Sequence, residues 1–238
     1  MQNILFTAIG VGGATAIGVL IGYLFKRRLM LYSAYITSLA AGIMLAAVGG
    51  LIEPAISGGT LFEALSLVFG IAAGVSVLYL IERFIPKEMK EDTGSSALLF
   101  AIAIAIHNLP EGIAAGVAFG AGDGEGAFGI IFGIALHNLP EGMIAITPLI
   151  SQGVKPYRAI ILAMAGAVAE VVGSFIGYYA VILSEAILPF SLSFAGGTML
   201  AVIIGEMIPD LQREKSRITT ITLVIGYAMT VLLSALLK

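Results

Sequence analysis

The chain has 238 residues, of which 59% are hydrophobic and only 11% are charged. Ordinary soluble domains are roughly 45–50% apolar and about 25% charged, so this composition is typical of a membrane protein. The 12 basic and 15 acidic side chains give a net charge of −3, and a nucleic-acid partner, which requires a basic face, is not expected. Because the chain has no cysteine, disulfides, thiolate zinc sites and iron–sulfur clusters are excluded.

Charge-poor runs divide the chain into eight predicted membrane spans. A bilayer core requires about 20 apolar residues of helix for each crossing. The runs cover approximately residues 3–25, 31–52, 60–83, 97–121, 126–150, 157–183, 190–210 and 218–237. The connections between them are short, so the sequence predicts an all-α polytopic membrane protein in which residues 1–238 form a single transmembrane domain.

The basic residues predict which side of the membrane each connection faces. Eleven Lys and Arg residues fall on the odd-to-even connections, and only Lys238 falls on the other side. By the positive-inside rule, both termini are expected outside a cell membrane. The first apolar run has no basic residue before it and the cluster Lys26, Arg27 and Arg28 after it. This is the reverse of a cleavable signal peptide, so we expect a retained first span.

The sequence contains an internal repeat at an offset of 155 residues. In the first and sixth spans the offset aligns Ala14, Gly18, Ile21, Gly22 and Tyr23 with Ala169, Gly173, Ile176, Gly177 and Tyr178. Five spans separate the copies, and this odd number means that matching helices cross in opposite directions. We therefore predict a 3+2+3 inverted repeat, typical of transporters, with halves at about 3–84 and 157–237 around central helices at about 97–150. Chance similarity among small apolar residues is the alternative.

The only two histidines of the chain lie in two copies of one hexapeptide, His107-Asn108-Leu109-Pro110-Glu111-Gly112 and His137-Asn138-Leu139-Pro140-Glu141-Gly142. Each copy falls near the middle of its span, the fourth or the fifth, so both are expected near the bilayer midplane on adjacent antiparallel helices. On a helix, the His and the Glu of each copy are i, i+4 neighbours on one face, and the Asn is i+3 from the Glu. The proline removes a backbone hydrogen bond, so we expect a kink that opens a cavity there.

Two glutamates at this depth require a positively charged partner. A charge at mid-bilayer costs roughly 2.5–3.5 kcal/mol or more, and the central spans offer no Lys or Arg at that depth. A divalent cation supplies the charge, and His, Asn and Glu ligands suit zinc and its first-row relatives. The predicted metal ligands are His107, Asn108, Glu111, His137, Asn138 and Glu141. The alternative is that both motifs are packing devices with protonated glutamates.

Further candidate ligands lie outside the two motifs. Glu170 is in the middle of the sixth span, and its counterpart at the repeat offset is Thr15. This asymmetry favours a role as ligand or proton carrier for Glu170. Glu206, near the inner end of the seventh span, is predicted to bind a departing cation. For Asp210, the same role and that of an interfacial charge are equally good interpretations. Met44 is a candidate thioether ligand, with core packing as the alternative.

Paired HNxPEG-type motifs on the fourth and fifth of eight spans resemble the Zrt/Irt-like (ZIP) family of divalent metal transporters, in its prokaryotic zinc-uptake and GufA-like branch. The resemblance extends over the whole chain and includes Glu170 and the Gly-Thr-Met-Leu stretch before Glu206. It implies two metal ions bridged by both motif glutamates, and import toward the cytoplasm by an elevator-like movement. The implied ligands are His107, Glu111 and Glu141 for one ion and Asn108, Glu111, Asn138, Glu141 and Glu170 for the other, with His137 beside both.

Two features depart from the family pattern. Many members have a histidine-rich connection between the third and fourth spans, whereas in this chain the connection from Pro86 to Ser96 contains no histidine. Some relatives have a His or Asp before the seventh-span glutamate, whereas this chain has Gly205. Metal sensing by the connection and a strong exit-side site are therefore not expected.

We predict that the protein is a transporter and not an enzyme. Its expected substrate is Zn²⁺, with iron, manganese and cadmium as further candidates, and its expected partners are metal ions and the lipid bilayer, with a homodimer as one option. The alternatives are a proton or sodium antiporter that uses the same carboxylates, and a membrane metalloenzyme. The His-x-x-x-Glu order differs from the Glu-x-x-His order of di-iron bundles, and this argues against the enzyme.

Overall fold

The computed structural model describes residues 2–84, 93–122, 124–213 and 216–236. The regular structure of these residues is helical throughout, which confirms the all-α prediction. The helices are α1 Gln2–Leu24, α2 Lys26–Ala55, α3 Leu61–Phe84, α4 Thr93–Gly120, α5 Gly124–Ser151, α6 Pro156–Leu183, α7 Leu188–Val202, α8 Ile208–Arg213 and α9 Arg217–Leu236.

Seven helical stretches among the described residues are long and apolar enough to cross a membrane. They correspond to α1, α2, α3, α5, α6, α9 and the stretch Leu188–Gly205 that begins with α7. The membrane character of the protein is thereby supported by length and composition. The helix α4 coincides with the predicted span 97–121 but is not among the seven, so the count of eight crossings stays a prediction.

The predicted seventh span, 190–210, is not one uniform α-helix. The α7 helix ends at Val202, a π-helical turn covers Ile203–Met207, and α8 begins at Ile208. Pro209 has no N–H to donate to the carbonyl of Gly205 four residues earlier, and its ring clashes with that carbonyl in an α-helix. A wider turn immediately before the proline relieves this clash.

The helices pack in two groups. In the first group, α4 packs on α6, α1 packs on α5, and α1 also contacts α6. In the second group, α3 packs on α7, α2 packs on α9, and α2 also contacts α7. Contacts of α2 with α5 and of α4 with α7 join the groups. An inverted repeat requires the α4–α6 pair to match the α1–α5 pair and the α3–α7 pair to match the α2–α9 pair, and all four pairs are in contact. The repeat itself stays a prediction.

Glycine allows the motif helices to approach their neighbours closely at two matched places. A Cβ on Gly112 would collide with the backbone of Glu170 on α6, and one on Gly142 would collide with the carbonyl oxygen of Thr15 on α1. Small residues permit such backbone contact between membrane helices. Each hexapeptide therefore ends in glycine because α4 must lie directly on Glu170 and α5 directly on Thr15.

Candidate metal centre

Two carboxylates and one imidazole meet where α4 faces α5. Glu111 of α4 and His137 and Glu141 of α5 offer ligand atoms that all lie within 4.8 Å of one another. The Nε2 of His137 is 2.9 Å from Glu141 Oε2 and 3.6 Å from Glu111 Oε1. Tetrahedral zinc, with bonds of about 2.0–2.2 Å, holds its ligand atoms about 3.4 Å apart. The spacing therefore suits a single small cation.

A hydrogen bond orients the imidazole of His137. Its Nδ1 lies 3.1 Å from the carbonyl oxygen of Ala40 on α2. A carbonyl only accepts, so Nδ1 carries the hydrogen and donates it. In the neutral ring Nε2 then has a free lone pair, and that lone pair faces the two glutamates. Histidines that bind metal almost always donate their other ring nitrogen in this way.

The buried ligand atoms of this cluster have no hydrogen-bond donors in the part of the chain that the structure describes. Glu111 is 0% exposed and His137 is 1% exposed, whereas the Glu141 side chain is 23% exposed. Among the described residues, both oxygens of Glu111, Glu141 Oε2 and His137 Nε2 have no hydrogen-bond partner. An unsatisfied buried polar group costs about 1–3 kcal/mol, and more if charged. A bound cation removes this cost.

A second polar cluster lies around Glu170 of α6. Its Oε1 accepts hydrogen bonds from Thr15 Oγ1, at 2.7 Å, and from Asn108 Nδ2. Asn138 Nδ2 donates to the carbonyl oxygen of Val11 at 3.4 Å. Within the described part of the chain, Glu170 Oε2 and the side-chain oxygens of both asparagines have no partner. These three buried oxygens are further candidate ligands.

The remaining predicted ligands have different outcomes in the structure. His137, which the resemblance sets beside both ions, lies directly with Glu111 and Glu141. The side chains of His107 and Glu206 lie outside the described residues, as does that of Asp210. Met44 is buried within the apolar core cluster, and its role as a ligand stays a prediction.

Two residues that contact the candidate ligands, Thr15 and Ala40, were not predicted from the sequence. Thr15 was visible only as the repeat counterpart of Glu170, and that alignment indicated no hydrogen bond between them. Ala40 acts through its backbone carbonyl, which has no signature in a sequence. The packing of α1 on α6 and of α2 on α5 was needed to find them.

Comparison with known proteins agrees with this chemistry. The family model described as "ZIP Zinc transporter" matches residues 85–234. The chain is 41% identical to the zinc transporter GufA of Myxococcus xanthus over 140 residues, which is 58% of this chain and 55% of that protein. It is 41% identical to the zinc transporter ZIP11 of Homo sapiens over 120 residues, 48% of this chain and 35% of that protein.

A third relative is the zinc transporter ZIPB of Bordetella bronchiseptica, which is 30% identical over 140 residues, 58% of this chain and 45% of that protein. The chain thus spans about half or less of the length of these curated relatives. The region matched by the family model covers more than half of this chain and contains Glu111, His137 and Glu141. The chain belongs to the ZIP zinc transporter family.

Proposed function

We propose that this protein carries Zn²⁺ across a membrane through the cluster of Glu111, His137 and Glu141. One observation carries the proposal: three ligand atoms converge within 4.8 Å on helices of a membrane protein, and they have no donors of their own among the described residues. The names of the relatives, all zinc transporters, support zinc as the substrate. The chain works as a carrier and not as an enzyme.

The exposure of the ligands suits a site that must also release its ion. Conduction requires binding that is favourable enough for the ion to enter and weak enough for it to leave. Glu111 and His137 are buried, whereas Glu141 is partly exposed. Glu141 is therefore the ligand through which an ion is first captured and last released.

The proposal extends to a second ion beside the first. Asn108, Asn138 and Glu170 hold it together with the two motif glutamates, and their unpaired side-chain oxygens support this assignment. His107, Glu206 and Met44 are proposed as further ligands along the path. Iron, manganese and cadmium are proposed as additional substrates, because imidazole also suits iron, carboxylates suit manganese, and cadmium belongs to the same chemical group as zinc.

We further infer that the protein forms one transmembrane domain in a cell membrane, with both termini outside, and that it imports the metal ion into the cytoplasm. A homodimer is the assembly to be tested. The charge bias of the connections supports the orientation. Movement of the group α1, α4, α5 and α6 against the group α2, α3, α7 and α9 would expose the site to either side in turn. His137 on one group and Ala40 on the other are joined by a hydrogen bond, which this movement would break.

The test is zinc uptake into liposomes that contain purified protein and an internal metal-sensing dye. Glu111→Gln and Glu141→Gln remove one ligand charge each with little change in volume. Glu63→Gln is the matched control, because Glu63 lies at the start of α3, where its carboxylate accepts from the backbone of Gly58 and Thr60. We expect saturable uptake by the parent and the control, and loss of uptake in the two site variants.

The other outcomes separate the alternatives. Equal uptake by the parent and by Glu141→Gln would overturn the assignment of the site. Proton or sodium movement without zinc uptake would identify an antiporter. Zinc that raises the melting temperature without being taken up would point to a metal-dependent enzyme, since a ligand that binds only the native state stabilises it.

A further inference from the structure

The hydroxyl of Thr15 restricts how Glu170 is able to bind an ion. Thr15 is buried on α1, and its Oγ1 donates to Oε1 of Glu170 on α6 at 2.7 Å. Asn108 Nδ2 donates to the same oxygen. A carboxylate oxygen has two lone pairs, so two donors occupy Oε1 fully. Only Oε2, which has no partner among the described residues, is left for a cation.

The helix contact itself does not require this hydrogen bond. One turn before Thr15, a Cβ on Gly12 would collide with the carbonyl oxygen of Ala167, so α1 and α6 already meet there through their backbones. Gly142 likewise packs α5 on the carbonyl oxygen of Thr15, and this contact does not involve the hydroxyl. The hydroxyl is therefore free to act on Glu170 alone.

We propose that Thr15 is a positioning residue that sets metal selectivity by holding Glu170 to one-oxygen coordination; this rests on the proposed transport of zinc. Zinc forms four-coordinate sites in which a carboxylate supplies one short bond. Manganese favours six ligands, chiefly oxygens. A glutamate that offers both oxygens raises the ligand count and favours manganese. By occupying Oε1, Thr15 favours zinc.

The experiment measures binding, so it does not depend on transport. Zinc affinity of the purified full chain is determined by titration, and Mn²⁺ is then used to displace zinc. Thr15→Val removes the hydroxyl at nearly constant volume, and Thr15→Ser retains it. Thr230→Val is the matched control, since Thr230 is a buried threonine on α9 whose hydroxyl donates to its own helix at Gly226.

We expect the zinc-to-manganese affinity ratio of Thr15→Val to fall about tenfold or more, in the range known for partners of metal ligands. Thr15→Ser and the control should keep the parent ratio. An unchanged ratio in Thr15→Val, or an equal loss of both affinities, would overturn the proposal, because a merely structural role weakens both ions alike. A parent that binds zinc with this selectivity but takes up none would contradict the transport function alone.

Discussion

The Nδ1 of His137 lies 3.1 Å from the carbonyl oxygen of Ala40, and this contact ties a candidate metal ligand on α5 to the backbone of α2. The two helices belong to different packing groups. The orientation of His137 Nε2 therefore depends on the position of α2. Any displacement of α2 along α5 would break this hydrogen bond, and the ring of the candidate ligand would be free to turn.

Replacement of His137 by alanine should abolish tight zinc binding. The variant loses the only nitrogen ligand of the described cluster and leaves Glu111 and Glu141 facing each other. We expect zinc affinity to fall by more than about 100-fold, since loss of outer partners alone costs 10–100-fold. Isothermal titration measures the change. Ser193→Ala, which removes a buried hydroxyl on α7, is the control, and equal affinities of the two variants would contradict the assignment.

Zinc binding should weaken as the pH falls. The ligand atoms of Glu111, His137 and Glu141 bind either a proton or the metal, so zinc must displace any protons they hold. The affinity is thus highest when the three groups are deprotonated and decreases as they take up protons. Isothermal titrations with zinc at a series of pH values from neutral to mildly acidic measure the change. A constant affinity over this range would exclude protonatable ligands.

Substitution of the last glycine of the second motif should destabilise the protein. In Gly142→Ala the new Cβ meets the carbonyl oxygen of Thr15, and α5 must move away from α1. Overpacking of this kind costs about 1–3 kcal/mol. Gly129→Ala is the matched control on α5, because nothing lies within 4 Å of its Cβ position. Thermal unfolding in detergent should show a lower melting temperature for Gly142→Ala only.

Glu63 should contribute to stability and not to transport. Thr60 Oγ1 accepts from the backbone N–H of Glu63 at 3.2 Å, and Glu63 Oε2 accepts from that of Thr60 at 3.1 Å. This reciprocal capping box begins α3, and its loss costs about 0.5–2 kcal/mol. Glu63→Ala should lower the melting temperature and leave zinc uptake intact. Reduced uptake at an unchanged melting temperature would instead indicate that Glu63 handles ions.

The helices could be predicted closely because each span is a long apolar run with charged or turn-forming ends. The predicted run 157–183, for example, corresponds to α6 at Pro156–Leu183. The π turn could not be predicted, since a proline alone does not specify it. Pro110 and Pro140 lie within helices that stay α-helical, whereas Pro209 follows the π turn.

The candidate site was predictable in composition but not in pairing. The repeated hexapeptide predicts Glu111, His137 and Glu141 as ligands, and i, i+4 spacing places His137 next to Glu141 within one helix. The contact of His137 with Glu111 crosses from α5 to α4. It depends on how the helices pack, which the spacing of residues within one helix does not determine.

The bond between Thr15 and Glu170 also has a consequence for the predicted internal repeat. In the predicted alignment the two residues are counterparts, 155 residues apart, and they form a hydrogen bond with each other. If the halves were identical, this point would hold either two carboxylates in repulsion or two hydroxyls without a carboxylate. A threonine hydroxyl can donate to a carboxylate there only if the two positions hold different residues. A symmetric pair of identical three-helix chains could not supply this bond, whereas one chain with two different halves can.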